Sequence, residues 1–292
     1  MPPNVVERIG VIGTGLIGAS IGLRARALGM RVSGWDADAA HLGRAVAEGA
    51  LDSAQPSEAA VVSESDTLVL ALPLPGVLDA LERFRVNVPP ASLILDVASL
   101  KSPVVKAGAG LAALVPSHPI AGSERSGPEA ARADLFEGRV WTYDPSAAAP
   151  ALDRARRFIA AMGARAVPID AETHDRVAAL TSHLPQVVAV ALASRLAASL
   201  DDETLALCGS GVRSMTRLGA SSWEMWEGIL HANGPTVAQE VRTLAAVLSE
   251  IADELDAGRT RALGSRFATA AAATKSLQGS VPANDASTNI VR

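Results

Sequence analysis

The eleven residues RIGVIGTGLIG, from Arg8 to Gly18, leave few folds open to this chain. RIGVIG reads as a buried strand, and Leu16 to Leu28 carries a helical pattern. Between them Gly13, Gly15 and Gly18 stand in G-x-G-x-x-G spacing. On its own that spacing is weak evidence. Behind a strand, in front of a helix and at the head of a strand–helix–strand unit, it has a mechanism. Gly13 permits a tight turn, Gly15 lets backbone amides come close to a pyrophosphate, and Gly18 lets helix and strand pack closely. Leu16 and Ile17 then open the helix whose positive end faces the phosphates. A glycine-rich turn with no ligand is the plainer alternative, and the context counts against it.

RVSGW forms the second strand, and Asp36 follows it, 18 residues after Gly18. A carboxylate there would bond the adenine-ribose hydroxyls of NAD and repel the extra phosphate of NADP. The same residue can cap a helix, because DADAA can start one, and both roles can hold together. TLVLAL, LILDV, ALVPS and RVWTY follow, with polar or helical segments between most of them. Strands alternating with helices imply a parallel sheet covered on both faces. Leu72 and Pro73, in ALPLPG after the third strand, either flank the cofactor or make a rigid turn. A helix–strand pair, ALDRARRFIAAMGARAVPI, takes this region to about Ile169.

From Ala171 onward the pattern is helix after helix. Val177, Leu180, Leu184, Val188 and Leu192 recur at helical spacing, with Pro185 predicting a kink among them. ANGP, at Ala232 to Pro235, predicts the end of one helix and the start of the next. Val237, Val241, Leu244, Leu248, Ile251 and Leu255 form a stripe too long for one short domain to bury, so a twofold dimer through these helices is expected. A third helical run covers Arg259 to about Leu277. A chain of 292 residues is long for a single core. We place a dinucleotide-binding domain at 1–170, a helical domain at 171–277, and an aperiodic, disordered tail at 278–292.

Composition narrows the partners. The net charge of −5 comes with no basic stripe, which argues against nucleic acid. No apolar run approaches the roughly 18 residues of a membrane span, so no membrane partner is expected. The single Cys208 excludes an internal disulfide and fits a reducing cytosol. The N-terminal MPPNVVERIG lacks the basic lead-in of a secretory signal, so a cytoplasmic location is expected. No metal-ligand pattern stands out.

An enzyme using nicotinamide must manage the substrate's proton as hydride leaves. The fourth strand runs into DVASLKS and the fifth into SHP, which puts Ser99 and His118 at carboxyl ends of strands. Open α/β sheets bind ligands there. An imidazole at His118 could take a hydroxyl proton, and Ser99 could hold or relay it. A buried histidine satisfied by a backbone carbonyl is an equal reading from position alone. His174 beside Asp175 reads as structural or as a helix start.

GTGLIG, DVASLK, SHPIAGSERSG, HDRVAALTSHLP and SMTRLGASSWEMW occur in that order. With them the chain, from about Ile9 to Leu255, resembles the prephenate/arogenate dehydrogenase family of tyrosine biosynthesis. The resemblance implies a Rossmann-type α/β domain followed by an all-helical dimerisation domain, and NAD-dependent oxidative decarboxylation of a small cyclohexadienol to a phenol. It implies that His118 is the catalytic histidine on the ring hydroxyl and that Ser99 supports the same hydroxyl. It makes Arg217 the grip on a substrate carboxylate, with Ser123, Glu124 and His183 lining the pocket. Trp226 falls where the family places a tryptophan near the partner subunit's site.

Two positions depart from the family pattern. Gln186 stands where many members have the second histidine of S-H-L-P-H, and Ser214 stands where an acidic residue is frequent. Gln186 is therefore expected to bear on the substrate's side chain, since its amide can face an ammonium or a keto oxygen. A 3-hydroxy acid dehydrogenase is the rival enzyme reading. That group uses a helical lysine, and this chain has none between Ala171 and Thr274. A non-catalytic NAD-binding protein is the other rival, and it leaves Ser99, His118 and Arg217 without a shared purpose.

Overall fold

The computed structural model describes residues 7–87, 89, 91–122 and 126–279. The chain falls into two compact units, one through Gly234 and one from Pro235. The first opens with β1 (Arg8–Ile12), α1 (Leu16–Ala27), β2 (Arg31–Trp35), α2 (Ala39–Ala47), β3 (Ser53–Ala54) and α3 (Glu58–Glu64). It continues with β4 (Thr67–Leu70), α4 (Leu74–Val86), β5 (Leu93–Asp96), α5 (Ser102–Ala107) and β6 (Leu114–Val115). These six strands make one parallel sheet in the order β3-β2-β1-β4-β5-β6. The order reverses between β1 and β4, which opens a crevice at their carboxyl ends.

Alternation along the strands feeds two cores. Ile9 and Val11 of β1, Val69 of β4, and Leu93 and Leu95 of β5 enter one cluster with α1. Ile12, Leu68, Leu70 and Ile94 enter the other, with α4 and Val61 of α3. Every one of these side chains is essentially sealed from solvent. A parallel sheet buried on both faces needs such near-continuous apolar strands.

The sequence pattern reads RVWTY and the strand after it as a continuation of the same sheet. The structure instead builds a separate sheet from β7 (Ser117–Pro119), β8 (Val140–Tyr143) and β9 (Arg165–Pro168), with α6 (Ala149–Ala161) between β8 and β9. Here β7 runs antiparallel to β8, and β8 parallel to β9. Pro116 separates β6 from β7, so SHP is a strand of the second sheet and not the end of the fifth strand of the first. β3 and β7, at two and three residues, are too short to show as periodic runs.

After β9 come α7 (Ala171–Ala178), a π-helical turn (Ala179–His183) and α8 (Leu184–Ala197). The kink expected at Pro185 takes the form of that π turn just before it, and the helix runs on without a break. The missing amide of a proline is harmless at the head of α8, where its partner carbonyl is already displaced by the wider turn. This continuous helix, Ala171–Ala197, is long and apolar enough by composition to cross a bilayer, although polar residues interrupt every run within it. Its covered face is not the expected apolar stripe: Val177 and Leu180 are exposed, while Asp175, Ala179, His183, Gln186 and Ala189 are buried.

Short helices α9 (Asp202–Leu205) and α10 (Ser210–Thr216) and a 3-10 turn (Arg217–Ala220) lead to α11 (Trp223–Asp256). ANGP does not end a helix: α11 passes through it as a single element with Pro235 inside. Gly234 keeps an ordinary φ and never adopts the left-handed conformation that would have capped the chain there. The second unit holds the remainder of α11 and α12 (Thr260–Gly279), where Arg266 pairs with Glu250 and Glu254.

Candidate active site

The β1–α1 turn has the form that a dinucleotide requires. Gly13 sits at φ 91°, and a Cβ there would meet the Ala71 carbonyl oxygen at 2.3 Å. A Cβ on Gly18 would strike the Gly13 carbonyl oxygen at 2.0 Å, so this glycine lets the helix lie against the turn. Gly15 differs: a Cβ there would enter open space. It is also the N-cap of α1 and brings no side chain to the helix's first amides, which Leu16 and Ile17 begin. Free amides, a positive helix end and an open approach together suit a pyrophosphate.

Asp36 closes this turn. Its Oδ2 accepts from the Thr14 amide at 2.6 Å and from the Thr14 hydroxyl at 3.0 Å, and its Oδ1 accepts from the Asp38 amide at 2.9 Å. The cap of α2 is Asp38, not Asp36. A carboxylate has about four acceptor positions, so room is left for a ribose hydroxyl. Leu72 lies across the turn from Gly13, and Pro73 is the N-cap of α4.

The second cluster is built where β5, β7 and α7 meet. His118 lies mid-strand in β7, and its carbonyl accepts from the Thr142 hydroxyl at 3.1 Å. Its Nδ1 is 3.0 Å from Nε2 of His174, and Nδ1 of His174 is 2.9 Å from Oδ1 of Asp175. Asp175 also accepts from the Lys101 amide at 2.7 Å and the Ser102 amide at 2.8 Å, so it fastens the head of α5 to α7. Burial pushes the Asp175 carboxyl up, but the His174 hydrogen bond and these amides outweigh it and hold it below the usual range. Burial, and then the nearby Lys101 ammonium, keeps the half-buried His118 well below the ordinary histidine range. It is therefore a neutral imidazole at neutral pH.

Beneath His118 lies a buried pair, Lys101 and Asp96. The Lys101 ammonium donates to Asp96 Oδ2 and to the Ser117 carbonyl, and Asp96 Oδ1 accepts from the Ser117 amide at 2.9 Å. Burial pushes the Asp96 carboxyl up and the Lys101 ammonium down, each opposed by the other's charge. The pair locks the end of β5 to the start of β7, the strand that carries His118.

The π turn decides where His183 points. It absorbs one extra residue, so Asp175 and His183 stand seven α-helical steps apart, roughly 20° out of phase, instead of eight steps and roughly 80°. Both then meet Asn233, whose Nδ2 donates to the Asp175 carbonyl at 3.0 Å and lies 3.4 Å from His183 Nδ1. His183 also packs edge-to-face on Trp226 of its own chain, with ring centroids 5.7 Å apart. The indole nitrogen of Trp226 is buried without a partner among the described residues.

Ser99 is half-buried in the β5–α5 loop, and its hydroxyl makes no hydrogen bond with a described residue. Arg217 heads the 3-10 turn, exposed and likewise without a partner among the described residues. Gln186 turns its amide toward the turn that carries Arg217. Its Nε2 donates to the Leu218 carbonyl at 2.7 Å, and its Oε1 accepts from the Ser221 hydroxyl at 3.3 Å. Each end of the amide thus makes one contact at the turn that carries Arg217 and keeps one further position. Ser123 and Glu124 lie outside the described residues. Sequence reasoning set His174 and Asp175 aside as structural and gave Lys101 no role. The adjacent His-Asp pair at a helix start was the visible signal, but nothing in the chain order tied it to His118. Among the described residues no cluster of histidine, cysteine or carboxylates could hold a metal ion.

Known proteins share this arrangement of domains. The family model for the nucleotide-binding domain of prephenate dehydrogenase matches residues 20–168, and that for its dimerization domain matches 170–269. A probable prephenate dehydrogenase of Streptomyces niveus, NovF, is 36% identical over 252 residues, 84% of this chain and 68% of that protein. A cyclohexadienyl dehydrogenase of Zymomonas mobilis is 31% identical over 246 residues, 80% of this chain and 83% of its own. A crystal structure of prephenate dehydrogenase from A. aeolicus, in complex with hydroxyphenyl propionate and NAD+, has the same fold. Its TM-score is 0.86 at 23% identity, over 94% of this chain and 99% of that one. With a Rossmann sheet, a glycine turn open at Gly15 and a helical second half matched to a dimerization domain, the chain belongs to the prephenate dehydrogenase family.

Proposed function

We propose that this chain is an NAD-dependent dehydrogenase of tyrosine biosynthesis that converts prephenate to 4-hydroxyphenylpyruvate, or arogenate to tyrosine. The observation that carries the reading is His118: a neutral imidazole at the edge of the nucleotide-binding domain, tied by one nitrogen to His174 and with the other left for a substrate. We assign it as the general base. Ser99, whose hydroxyl has no partner among the described residues, supports the ring hydroxyl, and Arg217 holds a substrate carboxylate as a charge-assisted fork. His183, fixed by Asn233, lines the same pocket. Ser123 and Glu124 join it by resemblance alone.

Bound NAD supplies the nicotinamide that accepts a hydride from the ring carbinol carbon. His118 takes the hydroxyl proton, so that carbon becomes a carbonyl. The ring carboxylate then leaves as carbon dioxide, its bonding pair completes the aromatic ring as a phenolate, and that oxygen takes back the proton that His118 accepted. Aromatisation makes the sequence irreversible, so the protein needs only to orient the ring and hold one proton until the ring oxygen takes it back. Asp36 favours NAD over NADP, because a carboxylate at the ribose repels an extra phosphate. We keep 1–170 and 171–277 as the domains, which the meeting point of the two family matches supports. Of the tail expected at 278–292, residues 278 and 279 belong to α12 and the rest lies outside the described residues. A cytoplasmic homodimer acting on a small soluble acid fits these features.

The test is absorbance at the NADH band with prephenate and with arogenate, in wild type and in His118→Asn. The variant should bind NAD normally and turn over about 10² to 10⁴ times more slowly, the usual worth of a general base. The base works only when unprotonated, so wild-type kcat/KM should rise with pH and level off below the ordinary histidine pKa of about 6.5. Unchanged turnover in His118→Asn would remove the assignment.

A further inference from the structure

We infer that His174 and Asp175 fix the tautomer of His118 and carry its proton onward; this rests on reading His118 as the base. Asp175 accepts from two backbone amides, and an amide nitrogen can only donate, so the carboxylate is bound in its acceptor form. Its third contact, His174 Nδ1 at 2.9 Å, must therefore bring a proton. A neutral His174 then has a bare Nε2, which can only accept. That nitrogen stands 3.0 Å from His118 Nδ1, so the proton between the two rings belongs to His118. His118 is left with its lone pair on Nε2, the nitrogen that faces away from this chain of contacts.

Isolated histidine prefers the opposite tautomer, with the proton on Nε2, and in that form Nε2 could not act as a base. The relay thus selects the reactive form before substrate arrives, as a hydrogen bond to one ring nitrogen always sets the state of the other. It also gives the proton somewhere to go. When His118 Nε2 takes the hydroxyl proton, the Nδ1 proton can cross to His174 Nε2. His118 is then neutral again with its proton on Nε2, and His174 is an imidazolium beside the Asp175 carboxylate. One proton enters, one shifts, and the positive charge ends on the ring that contacts the Asp175 carboxylate. The two rings meet edge-to-face at an interplanar angle of 70°, held by burial of His174 at 4% exposure. His174 and Asp175 are positioning residues: they act through His118 and touch no substrate.

The experiment has two arms. In wild-type enzyme labelled with 15N-histidine, the His118 signals, identified by their loss in His118→Asn, should show Nδ1 protonated and Nε2 bare. A protonated Nε2 in the resting enzyme overturns the proposal. In the second arm, His174→Leu should lower kcat by about a hundredfold, within the range of general-base effects, with the KM for NAD unchanged. His174→Gln should recover most of that loss, because its amide oxygen can still accept from His118 Nδ1. Equal rates in the Leu and Gln variants overturn the positioning role. If His174→Leu fails to fold, the tautomer measurement on wild type decides alone. Full turnover in His118→Asn would sink the base assignment itself, while the tautomer arm would still report on the relay.

Discussion

Asp36 already accepts three hydrogen bonds from its own chain, two from Thr14 and one from the Asp38 amide. It therefore orders the phosphate turn as well as offering an oxygen to the ribose. Losing a hydrogen bond to a charged group costs roughly 1.5–3 kcal/mol, so Asp36→Ala should weaken NAD binding by about ten- to a hundredfold. Titration calorimetry checks this, and equal wild-type efficiency with NADP would refute the cofactor assignment. Gln186 works in a related way in the helical half. With its amide bonded to Leu218 and Ser221, Gln186 supports the turn that carries Arg217, the residue we propose as the carboxylate grip. Gln186→Ala should raise the substrate KM several-fold and leave the KM for NAD alone; a shifted prephenate-to-arogenate preference with no change in KM would restore a direct reading role. These residues show what a sequence can carry. Chain order puts Asp36 just past β2, where the structure has it, but it reads His118 at the end of a strand, whereas His118 lies mid-strand in β7. The bond from His118 to His174 joins residues 56 apart, and no local pattern encodes it.

At the scale of elements, the three glycines of the first turn look alike in sequence and differ in space. Gly13 and Gly18 face backbone oxygens within 2.3 Å of a would-be Cβ, and Gly15 faces nothing. Gly18→Ala must push α1 off its turn and should lower the melting temperature by several degrees, as a core clash of about 1–3 kcal/mol would. Gly15→Ala should melt like wild type and yet bind NAD at least tenfold more weakly, because the methyl fills the approach to the phosphates. A Gly15→Ala enzyme with intact NAD affinity would show that the cofactor lies elsewhere. The strands and helices of the parallel sheet were readable because period and glycine spacing are local signals. The second sheet, the π turn and the passage of α11 through Pro235 were not. Each depends on tertiary packing that overrides a local breaker, and a two-residue strand such as β3 has no period to read.

Over the whole molecule, apolar surface is distributed unevenly. Among the described residues, four exposed large apolar side chains precede residue 170 and thirteen follow it. The stripe expected to be covered includes Leu248 at 58% and Leu255 at 59% exposure, and Val177 and Leu180 also face outward. Fully burying one such side chain is worth roughly 1.5–3 kcal/mol, so a chain does not leave this many uncovered without a partner. The region lies inside the match to a family dimerization domain, which makes a second copy of this chain the occupant. A twofold interface uses the same patch on both copies, so a single change is felt twice. Leu248→Asp combined with Leu255→Asp therefore places four carboxylates in one apolar seam. Light scattering at micromolar concentration should find wild type at twice the chain mass and the double variant at the chain mass. A monomeric wild type, or a double variant still dimeric, would mean that this stripe is not the seam between subunits.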